Sequence, residues 1–343
     1  MKDFGNVLGN DDLKARLADD IRRNALSHAY IIEGADGSGK HTLAKEIAAA
    51  LVCEHTHDNS AALPCGECRA CRKILNDRSP DLITVKCEDG KTQIGVDVIR
   101  KMREDVRLLP NDFETKVYII ENAHTMNIQA QNAFLLTLED PPKFVVFLLL
   151  CKSSSTLLET IKSRAPIIRM RPIEYSVLKS VLQKNNKDAA ELARTSPKEF
   201  EEILRLSSGF MGKAIDLLDK DKRAPLLISR QMAKEFLLYL TSRKSGIKSM
   251  EVISSFSQKR EELSKQLTQI ETAVRDLILV KRCEDTPLCF FTDDDEASEL
   301  SFKFKTSDLL SLTASVAKAK SQLAANSNVR LTLFSLAIDC GLM

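Results

Sequence analysis

The sequence predicts an α/β domain with a mainly parallel sheet over its first half, then a small helical domain and an all-helical C-terminal domain. Three observations predict this. Continuous apolar runs of strand length, at Ala29–Glu33, Lys116–Ile120 and 144–150, alternate with helical patterns; unbroken apolarity marks strands covered on both faces, as in parallel sheets. The first run ends in the glycine loop Gly34-Ala35-Asp36-Gly37-Ser38-Gly39-Lys40, which opens a helix-forming segment. Past Pro172 strand signals stop and only helical periodicity remains. The expected domains are residues 1–171, 172–221 and 222–343.

Along the chain, residues 13–21 are patterned as an amphipathic helix, and 42–52, rich in Ala, Leu, Ile, Lys and Glu, as the helix that follows the glycine loop. A cysteine-rich insert comes next, at about 53–71, then a short strand over 81–86. Residues 94–109 predict a helix with Val98, Met102, Val106 and Leu109 on one face and Arg100, Arg103 and Arg107 on another, ended by Pro110. A helix over 127–138 is closed by Pro141-Pro142, and a last strand over 167–170 follows Arg164-Ala165-Pro166. Helices are then expected over 175–183, 197–219, 226–240, 251–280 and 307–340, the last with a break near Asn326-Ser327-Asn328. The acidic run Asp293-Asp294-Asp295-Glu296 lies in a stretch of low periodicity and is expected to be a solvated loop.

At 343 residues the chain is long enough for two or three domains. Fifty Lys and Arg against 48 Asp and Glu leave a net charge of +2, so no global field drives the chain onto nucleic acid or an anionic membrane. The longest apolar runs fall short of the roughly 20 residues of a membrane span, and no charged-then-apolar segment opens the sequence. A cytoplasmic protein is expected. Nine cysteines in such a chain point to metal ligation or buried thiols before disulfides.

A strand, glycine loop and helix in that order make a phosphate cradle. Glycines let backbone N–H groups point at phosphate oxygens, and Lys40 would neutralise them. The candidate nucleotide-binding residues are Gly34, Gly37, Gly39, Lys40, His41 and Thr42. His41 stands where a Ser or Thr hydroxyl would hold Mg²⁺, and Thr42 comes one place late. In hydrolysing sites a second strand ends in an Asp for the metal shell and a Glu that orients the attacking water. Here the corresponding strand ends in Glu121-Asn122. Glu121, one methylene longer, could still reach a metal-bound water, whereas Asn122 accepts no proton. Three readings stay open: nucleotide held without turnover, a structural remnant holding none, and hydrolysis with Thr42 replacing the missing hydroxyl.

Cys53, Cys65, Cys68 and Cys71 form C-x11-C-x2-C-x2-C on a loop containing Pro and Gly. Thiolates so clustered wrap a tetrahedral Zn²⁺ at about 2.3 Å and leave no open position, which makes such a site structural. Unliganded thiols are the alternative. His55 and His57 are expected to be solvated, and Cys87, Cys151, Cys283, Cys289 and Cys340 show no ligand spacing. A zinc-dependent nucleic-acid module would need aromatics among basic residues; around the cysteines only Arg69, Arg72, Lys73 and Arg78 are basic, with no aromatic. Arg164 in Ser163-Arg164-Ala165 sits on a turn, either as a surface salt bridge or reaching a phosphate in a neighbouring subunit. The Arg100, Arg103 and Arg107 face is either solvated or a contact to DNA backbone phosphates.

Several stretches together resemble the delta-prime branch of the bacterial DNA polymerase III clamp-loader family, within the AAA+ proteins. They are Phe4-Gly5-Asn6-Val7-Leu8-Gly9-Asn10, Ser27-His28-Ala29-Tyr30, the four cysteines, Asn132-Ala133-Phe134-Leu135-Leu136-Thr137-Leu138-Glu139-Asp140-Pro141-Pro142, Ser163-Arg164-Ala165 and Leu323-Ala324-Ala325-Asn326-Ser327-Asn328-Val329-Arg330-Leu331. The resemblance implies an AAA+ P-loop domain, a helical lid and a helical collar that packs five subunits into a ring. It implies that Arg164 is an arginine finger acting in trans on ATP in the adjacent motor subunit, although the family's Ser-Arg-Cys cysteine is here Ala165. Motor subunits carry a sensor arginine in the lid, and the matching place is Gly212, beside Lys213. With His41 and Asn122, that departure favours a non-catalytic stator, without its own ATPase, over a gamma/tau-type motor, the alternative. The implied partners are gamma/tau motor subunits, the delta subunit, the sliding clamp and primed DNA. The implied cofactors are structural Zn²⁺ and ATP or ADP at the loop, with Mg²⁺ disfavoured by His41.

Overall fold

The computed structural model describes residues 3–58, 60–242, 247–282, 288–291 and 293–342; Cys283 lies outside the described residues. The chain separates into two compact units, Met1–Leu178 with Gly209–Lys213, and Lys179–Ser208 with Ala214–Met343.

The first unit holds β1 (Ala29–Glu33), β2 (Leu82–Val85), β3 (Lys116–Ile120), β4 (Val145–Cys151) and β5 (Ile167–Arg169). All pairings are parallel, in the order β2-β3-β4-β1-β5. Every residue of β3 and β4 is buried, as their unbroken apolarity requires. Successive side chains of a strand point to opposite faces. Ile31, Tyr118, Ile120, Phe147 and Leu149 therefore enter one core, and Ile32, Ile119, Leu148 and Leu150 enter the other. Helices α1 (Asp11–Arg22), α2 (Lys40–Leu51) and α3 (Arg69–Leu75) close the second core with Leu17, Ile21, Leu43, Ile47 and Ile74. Helices α4 (Val96–Val106), α5 (Ile128–Glu139) and α6 (Glu159–Lys162) close the first with Ile99, Met102, Phe134, Leu138 and Ile161. This is the α/β domain expected from the sequence.

The sheet order positions the site. β1 and β3 flank β4, so the loops leaving their carboxyl ends, at 34–39 and from 121 on, open at the same edge of the sheet one strand apart.

The helix expected over 94–109 is shorter. Leu109 is 73% exposed, and the buried face consists of Ile99, Met102 and Val106. Pro110 disfavours helical backbone at the residue before it. The buried carboxylate of Asp81 then accepts the backbone N–H groups of Asn111 (2.7 Å), Asp112 (2.6 Å) and Phe113 (3.0 Å), which turns the chain away from the helix axis.

From Tyr175 onwards the regular elements among the described residues are all helices: α7 (Tyr175–Asn185), α8 (Lys187–Thr195), α9 (Pro197–Ser207), α10 (Met211–Leu218), α11 (Lys220–Ser242), α12 (Ile247–Ser254), α13 (Arg260–Arg282), α14 (Asp294–Phe302), α15 (Thr306–Ala324) and α16 (Val329–Asp339). The sequence reading has no counterpart to α8, which starts at Asn186 with its side chain accepting from the Ala189 N–H at 3.0 Å. The single helix expected over 251–280 is two, α12 and α13, because Gln266 accepts the Ser257 N–H at 3.0 Å and Phe256 is buried at the break. The run at Asp293 is no loop. Asp293 caps α14 and the other three acids fill its first turn, where the positive end of the helix dipole favours them. The break near Asn326 is present: Asn326 has φ 63°, and Asn328 caps α16. Phe236, Leu267, Ile270, Val274, Leu309, Val316 and Leu336 are among the residues of the main core of the second unit. Among the described residues no helix is long and apolar enough to cross a membrane.

Candidate nucleotide loop and metal centre

The loop leaves β1 with the Gly34 N–H donating to the Cys151 carbonyl at 3.1 Å. Gly39 (φ 88°) ends the loop as the left-handed N-cap of α2. Lys40 reaches back: its Nζ donates to the carbonyls of Gly34 (2.6 Å) and Ala35 (2.8 Å). Burial depresses the Lys40 pKa, with Asp36 opposing, and Asp36 is itself paired with Lys152 at 2.6 Å. Gly37 (φ 75°) is packed against backbone. A Cβ there would lie 2.3 Å from the Lys213 nitrogen, a Cβ at Gly212 would lie 2.8 Å from the Gly37 Cα, and the Gly212 N–H donates to the Gly37 carbonyl at 3.0 Å. Position 212 thus admits no side chain without moving the loop.

His41 and Glu121, 80 residues apart, meet: Nε2 lies 2.8 Å from Oε1. The two residues standing where a hydroxyl and a carboxylate would share Mg²⁺ are hydrogen-bonded to each other. Asn122 holds a left-handed turn (φ 50°), and its backbone carbonyl accepts from the Thr125 N–H and Oγ1. Thr42 is exposed. His124, at the same edge, has its imidazole pKa depressed by burial, then by Lys152 and Lys40, with Asp36 opposing.

The cysteine insert gathers as expected. The sulfurs of Cys53, Cys65, Cys68 and Cys71 all lie within 4.8 Å of one another. Four sulfurs about 2.3 Å from a tetrahedral metal stand about 3.8 Å apart, and Cys65 and Cys71 are 3.9 Å apart. The N–H groups of His55, Cys68 and Cys71 donate to the sulfurs of Cys53 (3.4 Å), Cys65 (3.4 Å) and Cys68 (3.3 Å). Burial pushes the Cys53 and Cys71 thiols up. Cys65 is lowered to about 7: burial works against this, and the N–H groups of Cys68 and Glu67 outweigh it. Thiols crowded and buried in this way fit a divalent cation, which would deprotonate them. His55 and His57 are exposed and outside the group; the buried Cys151 and the half-buried Cys87, Cys289 and Cys340 also lie outside it.

The insert is tied down by contacts that spacing alone does not reveal. Asp3 accepts both η nitrogens of Arg22 at 3.0 and 2.9 Å and the Leu63 N–H at 2.8 Å, while the Phe4 N–H donates to the Leu63 carbonyl at 2.8 Å. Phe4, at φ 52°, is fully buried.

Arg164 lies on the exposed turn after α6, 37% exposed, in a 3.3 Å ion pair with Glu139. Arg100 and Arg107 are exposed, Arg103 is half-buried, and Arg100 pairs with Asp97 at 3.3 Å. The structure brings His41 to Glu121 and the four cysteines together; the candidate DNA arginines lie on α4 or just beyond it. The packing of Gly212 against Gly37 and the ion pairs of Glu139 and Lys152 had no signal at fixed spacing in the sequence.

Fold and site together define an α/β domain of the AAA+ kind, with a glycine loop between β1 and α2 and a His41–Glu121 hydrogen bond at the same edge of the sheet. Residues 9–174, just under half of the chain, match the family described as DNA polymerase III, delta subunit. The chain is 34% identical over 217 residues to DNA polymerase III subunit tau of Bacillus subtilis, covering 63% of this chain and 37% of that protein. It is 35% identical over 187 residues to DNA polymerase III subunit delta' of Pseudomonas aeruginosa, covering 53% of each. The chain therefore spans less than two thirds of either relative. A solved gamma subunit-related protein of Thermotoga maritima aligns over 95% of this chain and 99% of its own at 18% identity, with a TM-score of 0.41.

Proposed function

We propose that this chain is a clamp-loader subunit of the delta-prime kind. It acts as a stator without ATPase activity of its own and supplies Arg164 in trans to ATP on a neighbouring motor subunit. The observation that carries the reading is the His41–Glu121 hydrogen bond at 2.8 Å. Phosphoryl transfer needs a metal ion that bridges the phosphates and a group that orients the water. His41 and Glu121 satisfy each other, and the amide of Asn122 accepts no proton from a water. Gly212 at the sensor place, with no room for an arginine, supports the same reading.

The chain's own residues would then bind and hold. Gly34, Gly37, Gly39 and Lys40 would hold ATP or ADP without turnover, and the four cysteines would hold structural Zn²⁺. The guanidinium of Arg164, on an exposed turn, would neutralise charge building on a neighbour's γ-phosphate. The partners would be gamma/tau motor subunits and the delta subunit, with the sliding clamp and primed DNA in the assembly, in the bacterial cytoplasm. The isolated full-length chain is expected to show no ATPase above background with Mg²⁺ present. Turnover abolished by Lys40→Ala would overturn the reading in favour of a gamma/tau-type motor, which the 34% identity to subunit tau favours.

A further inference from the structure

The guanidinium of Arg164 is held by three acceptors. Two belong to its own turn: Nη1 donates to the Thr160 carbonyl at 3.1 Å and to Ser163 Oγ at 3.4 Å. The third, Glu139 Oε1, accepts from Nη2 at 3.3 Å and comes from another element, α5. Glu139 is the last residue of α5 and Asp140 is its C-cap, and the last turn of that helix carries no basic residue. A helix C-terminus is the negative end of the dipole and favours cations. The Glu139 carboxylate there needs a positive charge from elsewhere, and Arg164 supplies it. A phosphate approaching Arg164 would compete for the same N–H fork and would also face the Glu139 carboxylate.

We propose that Glu139 is a restraining, positioning residue for Arg164: it neutralises the guanidinium until a phosphate of the neighbouring subunit displaces it. This rests on the trans role of Arg164 proposed above. With the side chains 37% and 53% exposed, the pair is weak and screened by salt, as a displaceable restraint must be.

The test is the ATPase of a reconstituted loader containing motor and delta subunits, clamp, primed DNA and this full chain as wild type, Glu139→Gln, Arg164→Ala or both. Glu139→Gln keeps the size and an acceptor and removes the charge. It is expected to raise the rate by about two- to fivefold at low salt, with the gain vanishing at high salt and in the Arg164→Ala background. A fall or no change with Glu139→Gln, while Arg164→Ala still costs tenfold, would overturn the restraint and leave the trans role standing. A gain that persists without Arg164 would also overturn it. If Arg164→Ala is without effect, the trans role itself fails and the restraint with it.

Discussion

At the residue scale, the substitutions at His41 and Asn122 were legible because a glycine loop fixes which places matter. That His41 would bond Glu121 was not, since no local pattern links residues 80 apart. The same holds for Asp105, which accepts the Tyr118 hydroxyl at 2.6 Å and pairs with the buried Lys116 at 2.9 Å. Burial works against the Asp105 carboxylate, and the Tyr118 hydroxyl and Lys116 ammonium outweigh it, so its pKa is lowered. Tyr118→Phe is expected to cost about 1 kcal/mol at neutral pH, at the low end for a hydrogen bond to a charge because Asp105 is 42% exposed. A carboxylate with a depressed folded pKa contributes stability above its unfolded value of about 3.9 and loses it as pH falls through the folded one. Denaturant titrations of wild type and variant should therefore converge in acid; a gap that is constant with pH would contradict this.

At the element scale, the strands were readable from unbroken apolarity, but their order was not, because parallel pairing is decided by crossovers and leaves no mark in any one strand. Helix ends were least legible. Asp293 looked like a loop because its run lacks apolar periodicity, yet a capping acid needs none. The cysteine spacing was a local signal and led directly to the cluster. What it did not show is that Leu63, inside the insert, is bonded to Asp3 and Phe4. Purified chain is expected to hold one equivalent of zinc. Removing it with a chelator should lower Tm and raise hydrogen exchange both across residues 53–75 and at the Phe4 amide. Exchange at Phe4 that is unchanged while the insert opens would show that the two are not coupled.

At the scale of the whole molecule, an α/β domain followed by helices was legible from where strand signals stop, near Pro172. A net charge of +2 excluded a global attraction to DNA, so any contact must come from a local face such as Arg100, Arg103 and Arg107. Arg100 is already partnered by Asp97, which weakens it as a phosphate ligand. If this face meets duplex DNA in the assembly, Arg100→Ala with Arg103→Ala should flatten the salt dependence of DNA binding by up to about two counterions. An unchanged slope assigns the face to solvent.

In the role proposed above, this chain contributes to ATP hydrolysis on a neighbouring subunit without hydrolysing ATP itself. The measurement that tests it most directly is the clamp- and DNA-stimulated ATPase of the reconstituted loader with wild-type chain or Arg164→Ala, with assembly checked by size. A fall of about tenfold or more is expected with the complex intact, in line with the loss of an arginine finger. An unchanged rate would contradict it and leave Arg164 as a surface partner of Glu139.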